Sequence, residues 1–125
     1  MNSLITNRTA NLPGDYQRQA AGTPRHTPGA MNKTEQAYSV QLDALKAAGE
    51  ITWWAFEAIK LKLADKTYYT PDFVVMLADG ALEIHETKGF WQDDSRVKWK
   101  CAQEKFWMFK FRAFSCKRGT FTELA

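Results

Sequence analysis

Cysteine, proline and long apolar runs are all scarce in this chain, and each scarcity excludes something. Two cysteines among 125 residues, Cys101 and Cys116, support neither a disulfide framework nor a structural zinc site. Small buried thiols in a reducing cytoplasm are expected instead. No apolar run approaches the roughly 20 residues that span a bilayer. The N-terminus shows no apolar segment followed by a cleavage site, so a cytoplasmic protein without a membrane partner is expected. Only one of the four prolines, Pro71, lies beyond residue 30.

That uneven spread divides the chain. Residues 1–30 hold Pro13, Pro24 and Pro28, three glycines, and many Asn, Thr and Gln, with no hydrophobic periodicity. They read as a flexible tail. Arg8, Arg18 and Arg25 within it are able to graze a phosphate backbone, although a solvated tail is the simpler reading. Met31 follows at once and is a candidate alternative start. Residues 31–125 form one domain, since the whole length suits one core and is too short for two. Apolar residues make up 45% and aromatics 14% of the chain, enough for that core. The formal charge of +3 is mildly basic and suits a polyanionic partner. The excess is concentrated: Arg96 to Arg118 contains eight Lys or Arg and one acid, Glu104.

Periodicity gives the elements. Residues 32–48 predict a helix, capped by Asn32 or Thr34, with Glu35 in the first turn and Gly49 as its stop. Tyr38, Leu42 and Leu45 form its stripe, widened by Ala37, Ala44 and Ala48. Ile59 to Leu63 alternates apolar and basic residues, the pattern of a half-buried strand. Adjacent Trp53 and Trp54 cannot share one strand face, so one of them is a candidate exposed dimer contact. Tyr68–Leu77 and Leu82–Phe90 predict two more strands, joined by a turn at Ala78-Asp79-Gly80. Asp93 and Asp94 read as caps of a helix over 95–106, in preference to metal ligands, with Val97, Cys101, Ala102 and Phe106 inward. Trp107–Cys116 is a final strand. Because a helical crossover precedes it, it is free to lie parallel to a neighbour in a mixed sheet.

Chemistry concentrates at one place in this order. Asp72 lies seven residues before Asp79 and Glu86 seven after it, so the turn brings the two carboxylates opposite each other. Side chains at i and i+2 share a strand face, which aligns Glu86 with Lys88 and with Leu82 and Ile84. His85 and Glu83 point to the other face. Two hard carboxylates suit Mg²⁺, which keeps water and phosphate in its remaining positions, and the Thr87 carbonyl is a candidate backbone ligand. Lys88 is placed to orient or help deprotonate a water and to offset negative charge on phosphorus. The competing readings are a strand-start residue for Asp72 and an exposed ion pair for Glu86 and Lys88.

Pro71-Asp72 followed by Glu86-Thr87-Lys88 resembles the PD-(D/E)XK nuclease superfamily. That group includes restriction endonucleases, phage junction-resolving endonucleases and archaeal Holliday junction resolvases. The run Met31 to Arg96, with Tyr69-Thr70-Pro71-Asp72-Phe73 and Glu86-Thr87-Lys88-Gly89-Phe90, is also similar to small phage-borne members, and the resemblance extends over residues 31–117. It implies an α/β (α+β) fold with a restriction-endonuclease-like αβββαβ core, a mixed central sheet flanked by helices. It implies Mg²⁺, with Mn²⁺ able to substitute, and DNA phosphodiester hydrolysis at Asp72, Glu86 and Lys88. Several members carry a further metal-binding Glu on the helix before the sheet. Glu35 takes that position here, the alternative being a helix N-terminal charge.

The expected activity is a structure-selective endonuclease, acting on branched DNA such as a Holliday junction and encoded by a phage. Symmetric junction cleavage implies a homodimer. A nicking, sequence-selective or other DNA nuclease on the same core is one alternative; a non-catalytic DNA-binding or host-inhibitor protein is another. Candidate phosphate contacts are Arg96, Lys98 and Lys100 on the second helix, Lys110 and Arg112 on the last strand, and Lys117 and Arg118 after them. Phe90, Trp91 and Trp99 are able either to stack on bases or to pack in the core.

Overall fold

The computed structural model describes residues 29–88 and 93–124. Gly29 and Ala30 are therefore the only described part of the predicted tail, and Arg8, Arg18, Arg25, Phe90 and Trp91 lie outside the described residues. The fold is α+β: a mixed five-stranded sheet with a helix on each face. No helix among the described residues is long and apolar enough to cross a membrane.

Helix α1 (Lys33–Ala47) starts where the sequence says it should. Asn32 accepts from the Glu35 backbone N–H, and the Glu35 side chain accepts from the Asn32 N–H, a complete capping box. Gly49, at φ +81°, follows its C-terminus. Tyr38 and Leu42 are buried and Leu45 half-buried, whereas Ala44 and Ala48 are exposed. The inward stripe is thus narrower than the alanine spacing suggests.

Strand β1 (Ile51–Phe56) comes next, a strand the sequence pattern had not separated. It pairs antiparallel with β4 (Phe73–Leu77), and an irregularity between Ile51 and Trp53 shifts the register. That bulge lets Ile51 and Trp54 both face α1 although they are an odd three positions apart. Trp53 faces the other way and is half-buried against the second core. Neither tryptophan is an exposed dimer contact. The chain then turns through Glu57, at φ +48°, into a separate hairpin of β2 (Leu61–Ala64) and β3 (Thr67–Tyr69). The predicted strand over Tyr68–Leu77 is broken at Pro71, which has no N–H to give a ladder. Before Pro71 the chain belongs to the small hairpin, and after Asp72 it belongs to the main sheet.

Strand β5 (Leu82–Thr87) pairs antiparallel with β4, ending earlier than the predicted Phe90. Helix α2 (Asp93–Lys105) then crosses over to β6 (Lys110–Lys117), which runs parallel to β5 as expected from the crossover. A tight turn at Arg118-Gly119, both with positive φ, leads into β7 (Thr120–Leu124), an edge strand that closes the order β1-β4-β5-β6-β7. Helix α2 buries Trp99 and Ala102, while Val97 and Cys101 are exposed and Phe106 is half-buried. Both cysteines are free, Cys116 only half-buried, so neither is the buried thiol expected.

Two cores result, one per sheet face. Tyr38 and Leu42 pack on Ile51, Trp54, Phe73 and Val75. The Tyr38 ring lies 5.1–5.3 Å from those of Phe73, Phe114 and Phe121. On the other face Trp99 and Ala102 pack with Leu61, Tyr69, Val74, Ile84 and Ala113. Leu42→Ala should cost about 2–5 kcal/mol in urea unfolding. Val40→Ala, one turn-face away and exposed, should stay within about 0.5 kcal/mol. Equal losses would contradict the assignment of α1's inner face.

Candidate functional site

The register of β4 and β5 builds the site. Phe73 pairs with His85 and Met76 with Leu82, so pairing is symmetric about Asp79. Gly80, at φ +91°, donates to Leu77, and Asp79 accepts from the Ala81 N–H, closing the turn. One residue beyond Phe73–His85, Asp72 meets Glu86. Strand alternation puts both on the α2 face with Val74 and Ile84, at the end of the sheet.

Both carboxylates are buried and held from several sides. Glu86 Oε1 accepts from the Tyr69 hydroxyl at 2.5 Å and from the Asp72 backbone N–H at 3.0 Å. Its Oε2 lies 3.1 Å from Lys88 Nζ. Asp72 Oδ2 accepts from the Thr87 N–H at 2.9 Å and the Thr87 hydroxyl at 3.1 Å. Burial and then the neighbouring Asp72 charge push the Glu86 carboxyl up to about 7, against the opposing pull of Lys88. Tyr69, buried beside Glu86, is held firmly in its protonated, donating form. The reading of Glu86 and Lys88 as an exposed ion pair does not survive, since the Glu86 side chain is 3% exposed.

A cleft of about 920 Å³ opens over this floor. Its walls bring in Glu35 from α1, Glu57 from the end of β1, Thr67 to Thr70 from the hairpin, and Asp93, Asp94, Ser95 and Lys98 from the start of α2. Glu35 is buried and does both things the sequence allowed: it caps α1 and it faces the cleft. Glu57 and Tyr69 are the residues sequence reasoning missed. Glu57 is an isolated acid in an unusual backbone conformation, which no spacing rule reveals. Tyr69 lies three residues before Asp72, within the predicted Tyr68–Leu77 strand, where periodicity alone assigns it no role at the site.

The basic residues are not gathered in the same way. Lys98 lines the cleft. Arg96 and Lys100, on another side of α2, line a smaller cavity of about 330 Å³ with Trp99, Phe111 and Leu124. Trp99 is buried, edge-on to Tyr69 and Phe111, and is core rather than a base platform. Lys110 pairs with Glu83, at the far end of β5 from the site. Arg112 is bound to Glu83 and, through two bonds, to Glu123. Lys117 and Arg118 sit at the β6–β7 turn, beyond the point where Phe114 accepts from the Lys88 N–H. Asp93 and Asp94 occupy the first turn of α2, where their charge suits the helix dipole.

The opposite face of β5 carries a closed polar network. Tyr38 OH lies 2.6 Å from His85 Nδ1, and His85 Nε2 lies 2.8 Å from Glu83. A carboxylate only accepts, so Nε2 carries the proton and Nδ1 accepts from Tyr38. Burial lowers the His85 pKa, which keeps the ring neutral in this relay. Among the described residues no buried side-chain polar atom lacks a partner.

Asp72 and Glu86 fit a divalent cation by their chemistry. They are two hard oxygen donors, buried together, whose mutual repulsion a cation would relieve. Among the described residues no group of three or more His, Cys, Asp or Glu is placed to hold a metal ion; Mg²⁺ in general takes only one or two carboxylates from a protein. No family model, curated protein or solved structure matches the chain.

A carboxyl whose pKa is raised on folding favours the folded state below its unfolded pKa and loses that contribution as pH rises through the folded value. In metal-free protein the Glu86 contribution should therefore fall by roughly 2 kcal/mol from about pH 5 to pH 8, against the gain that buried, neutral His85 makes over the lower part of that range. Glu86→Gln should lack that part of the slope in thermal unfolding with EDTA. Parallel pH profiles for the two proteins would contradict the buried, repelled carboxylate.

Proposed function

We propose that this chain is a Mg²⁺-dependent endodeoxyribonuclease of the PD-(D/E)XK kind. The observation that carries the proposal is the joint burial of Asp72 and Glu86 at one sheet end, with Lys88 ion-paired to Glu86, beneath an open cleft. The order helix, three antiparallel sheet strands, helix, parallel strand supports it. The β2–β3 hairpin and β7 are additions to that core.

Hydrolysis forms one bond from a water oxygen to phosphorus and breaks one from phosphorus to a sugar oxygen, while negative charge grows on the phosphoryl oxygens. Asp72, Glu86 and the Thr87 carbonyl would hold Mg²⁺, which supplies charge neutralisation and a more acidic water; Glu35 lines the same cleft but does not group with the two carboxylates. Thr87 and Tyr69 fix the rotamers of the two carboxylates by donating to them. The Lys88 ammonium, fixed by Glu86, is placed to orient the attacking water and offset charge on the phosphate. Lys98 lines the cleft wall, where its charge would meet the backbone of the strand being cut.

Branched DNA is the proposed preferred substrate, and a homodimer the form that would cut it symmetrically. Purified protein should cut four-way junction, nicked, linear or single-stranded DNA with Mg²⁺ or Mn²⁺ and stop with EDTA. Asp72→Ala and Lys88→Ala should each lower the rate at least about a hundredfold. Wild type and Asp72→Ala behaving alike on every substrate would sink the enzyme reading. DNA binding without cleavage would favour a non-catalytic binding protein.

A further inference from the structure

The β2–β3 hairpin belongs to neither helix layer nor to the main sheet, yet it forms one wall of the cleft. Its two faces differ sharply. Leu61 and Tyr69 are buried in the α2-side core, with Ile59 and Leu63 packed against it. Lys60, Lys62 and Tyr68 point outward. Lys62 stands directly across from Tyr68, and Lys60 Nζ lies 5.0 Å from the Tyr68 ring centroid. Lys66 adds a third positive charge at the turn, against one acid, Asp65.

Tyr68 is 40% exposed and belongs to neither core cluster; its neighbours on the outward face are Lys60 and Lys62. It lines the cleft, and the next residue, Tyr69, is bonded to Glu86. An aromatic ring flanked by lysines therefore stands at the rim of a floor made of carboxylates. The two charges divide the work: acids below suit a cation, and lysines at the rim suit phosphates.

Resting on the nuclease reading above, we propose that this outward face grips an unpaired nucleotide of the DNA strand being cut. One base stacks on Tyr68, and Lys60 and Lys62 hold the flanking phosphates. The base must be unpaired, because inside a duplex both of its faces are already stacked on neighbours, whereas an open strand offers a π-face to an aromatic side chain. Lysine contacts to phosphate add affinity without sequence preference. The hairpin thus selects DNA that opens beside the scissile bond.

The test is fluorescence anisotropy with the full chain, using a labelled DNA oligonucleotide, single-stranded or as blunt duplex, and Ca²⁺ in place of Mg²⁺. Wild type should bind the single strand more tightly than the duplex. Tyr68→Ala should weaken single-strand binding about tenfold or more, and duplex binding by much less, while Tyr68→Phe and Tyr68→Trp stay within about twofold. Lys60→Ala with Lys62→Ala should flatten the slope of log affinity against log salt by about 1.4 on the single strand. The proposal is overturned if Tyr68→Ala binds the single strand as wild type does, or if Tyr68→Phe loses as much as Tyr68→Ala. The readout is binding alone. A protein that shows the Tyr68 pattern but never cuts DNA removes the nuclease reading and leaves this one standing; a protein that cuts but shows no Tyr68 effect does the reverse.

Discussion

Everything at the site depends on the register between β4 and β5. The turn at Ala78-Asp79-Gly80 sets that pairing, and the period of two along each strand does the rest. A slip of one residue would send Asp72 or Glu86 to the opposite face of the sheet, away from its partner and into the aromatic cluster around Tyr38. The apolar alternation guards against such a slip. Phe73 and Val75 are buried under α1, while Val74 and Ile84 are buried under α2. A shifted pairing would disturb both cores at once.

The same alternation gives β5 two polar roles on its two faces. Toward α2, Glu86 joins Asp72 and Lys88 at the cleft. Toward α1, Glu83 and His85 join Tyr38, Arg112 and Glu123 in a network closed on itself. Burying so many polar groups on one strand is costly unless each is bonded. The network toward α1 is saturated by the protein's own groups and ties α1 to β6 and β7. The pair toward the cleft is bonded but electrostatically strained, since two buried carboxylates repel and burial disfavours their charge. That contrast separates a structural polar cluster from one suited to a ligand cation.

Much of this was legible in the sequence. The capped first helix, the hairpin about Asp79, the meeting of Asp72 with Glu86 and the opposite pointing of His85 all follow from local spacing, and the structure shows each of them. The parallel final strand follows from its helical crossover. What could not be read depends on tertiary context. Pro71 breaks an apolar run into two strands of different sheets, and only the pairing partners reveal which belongs where. The bulge in β1 hides the phase of Trp53 and Trp54. On α2 the buried residues are Trp99 and Ala102, with Phe106 just after the helix packed against the same core, while Val97 and Cys101 are exposed. Arg112 looked like one more surface cation in a basic stretch, and only folding brings Glu83 and Glu123 to it. Lys60 and Lys62 are legible in the Ile59–Leu63 alternation, but their place beside Tyr68 and the cleft is not.

The central claim is that Asp72 and Glu86 together form a cation site. Titration of the protein with Mn²⁺, followed by the loss of its free paramagnetic signal, tests this without requiring a substrate. Saturable binding by wild type, at least about tenfold weaker in both Asp72→Asn and Glu86→Gln, is the expected result. Equal Mn²⁺ binding by all three proteins, or none by wild type, would contradict it.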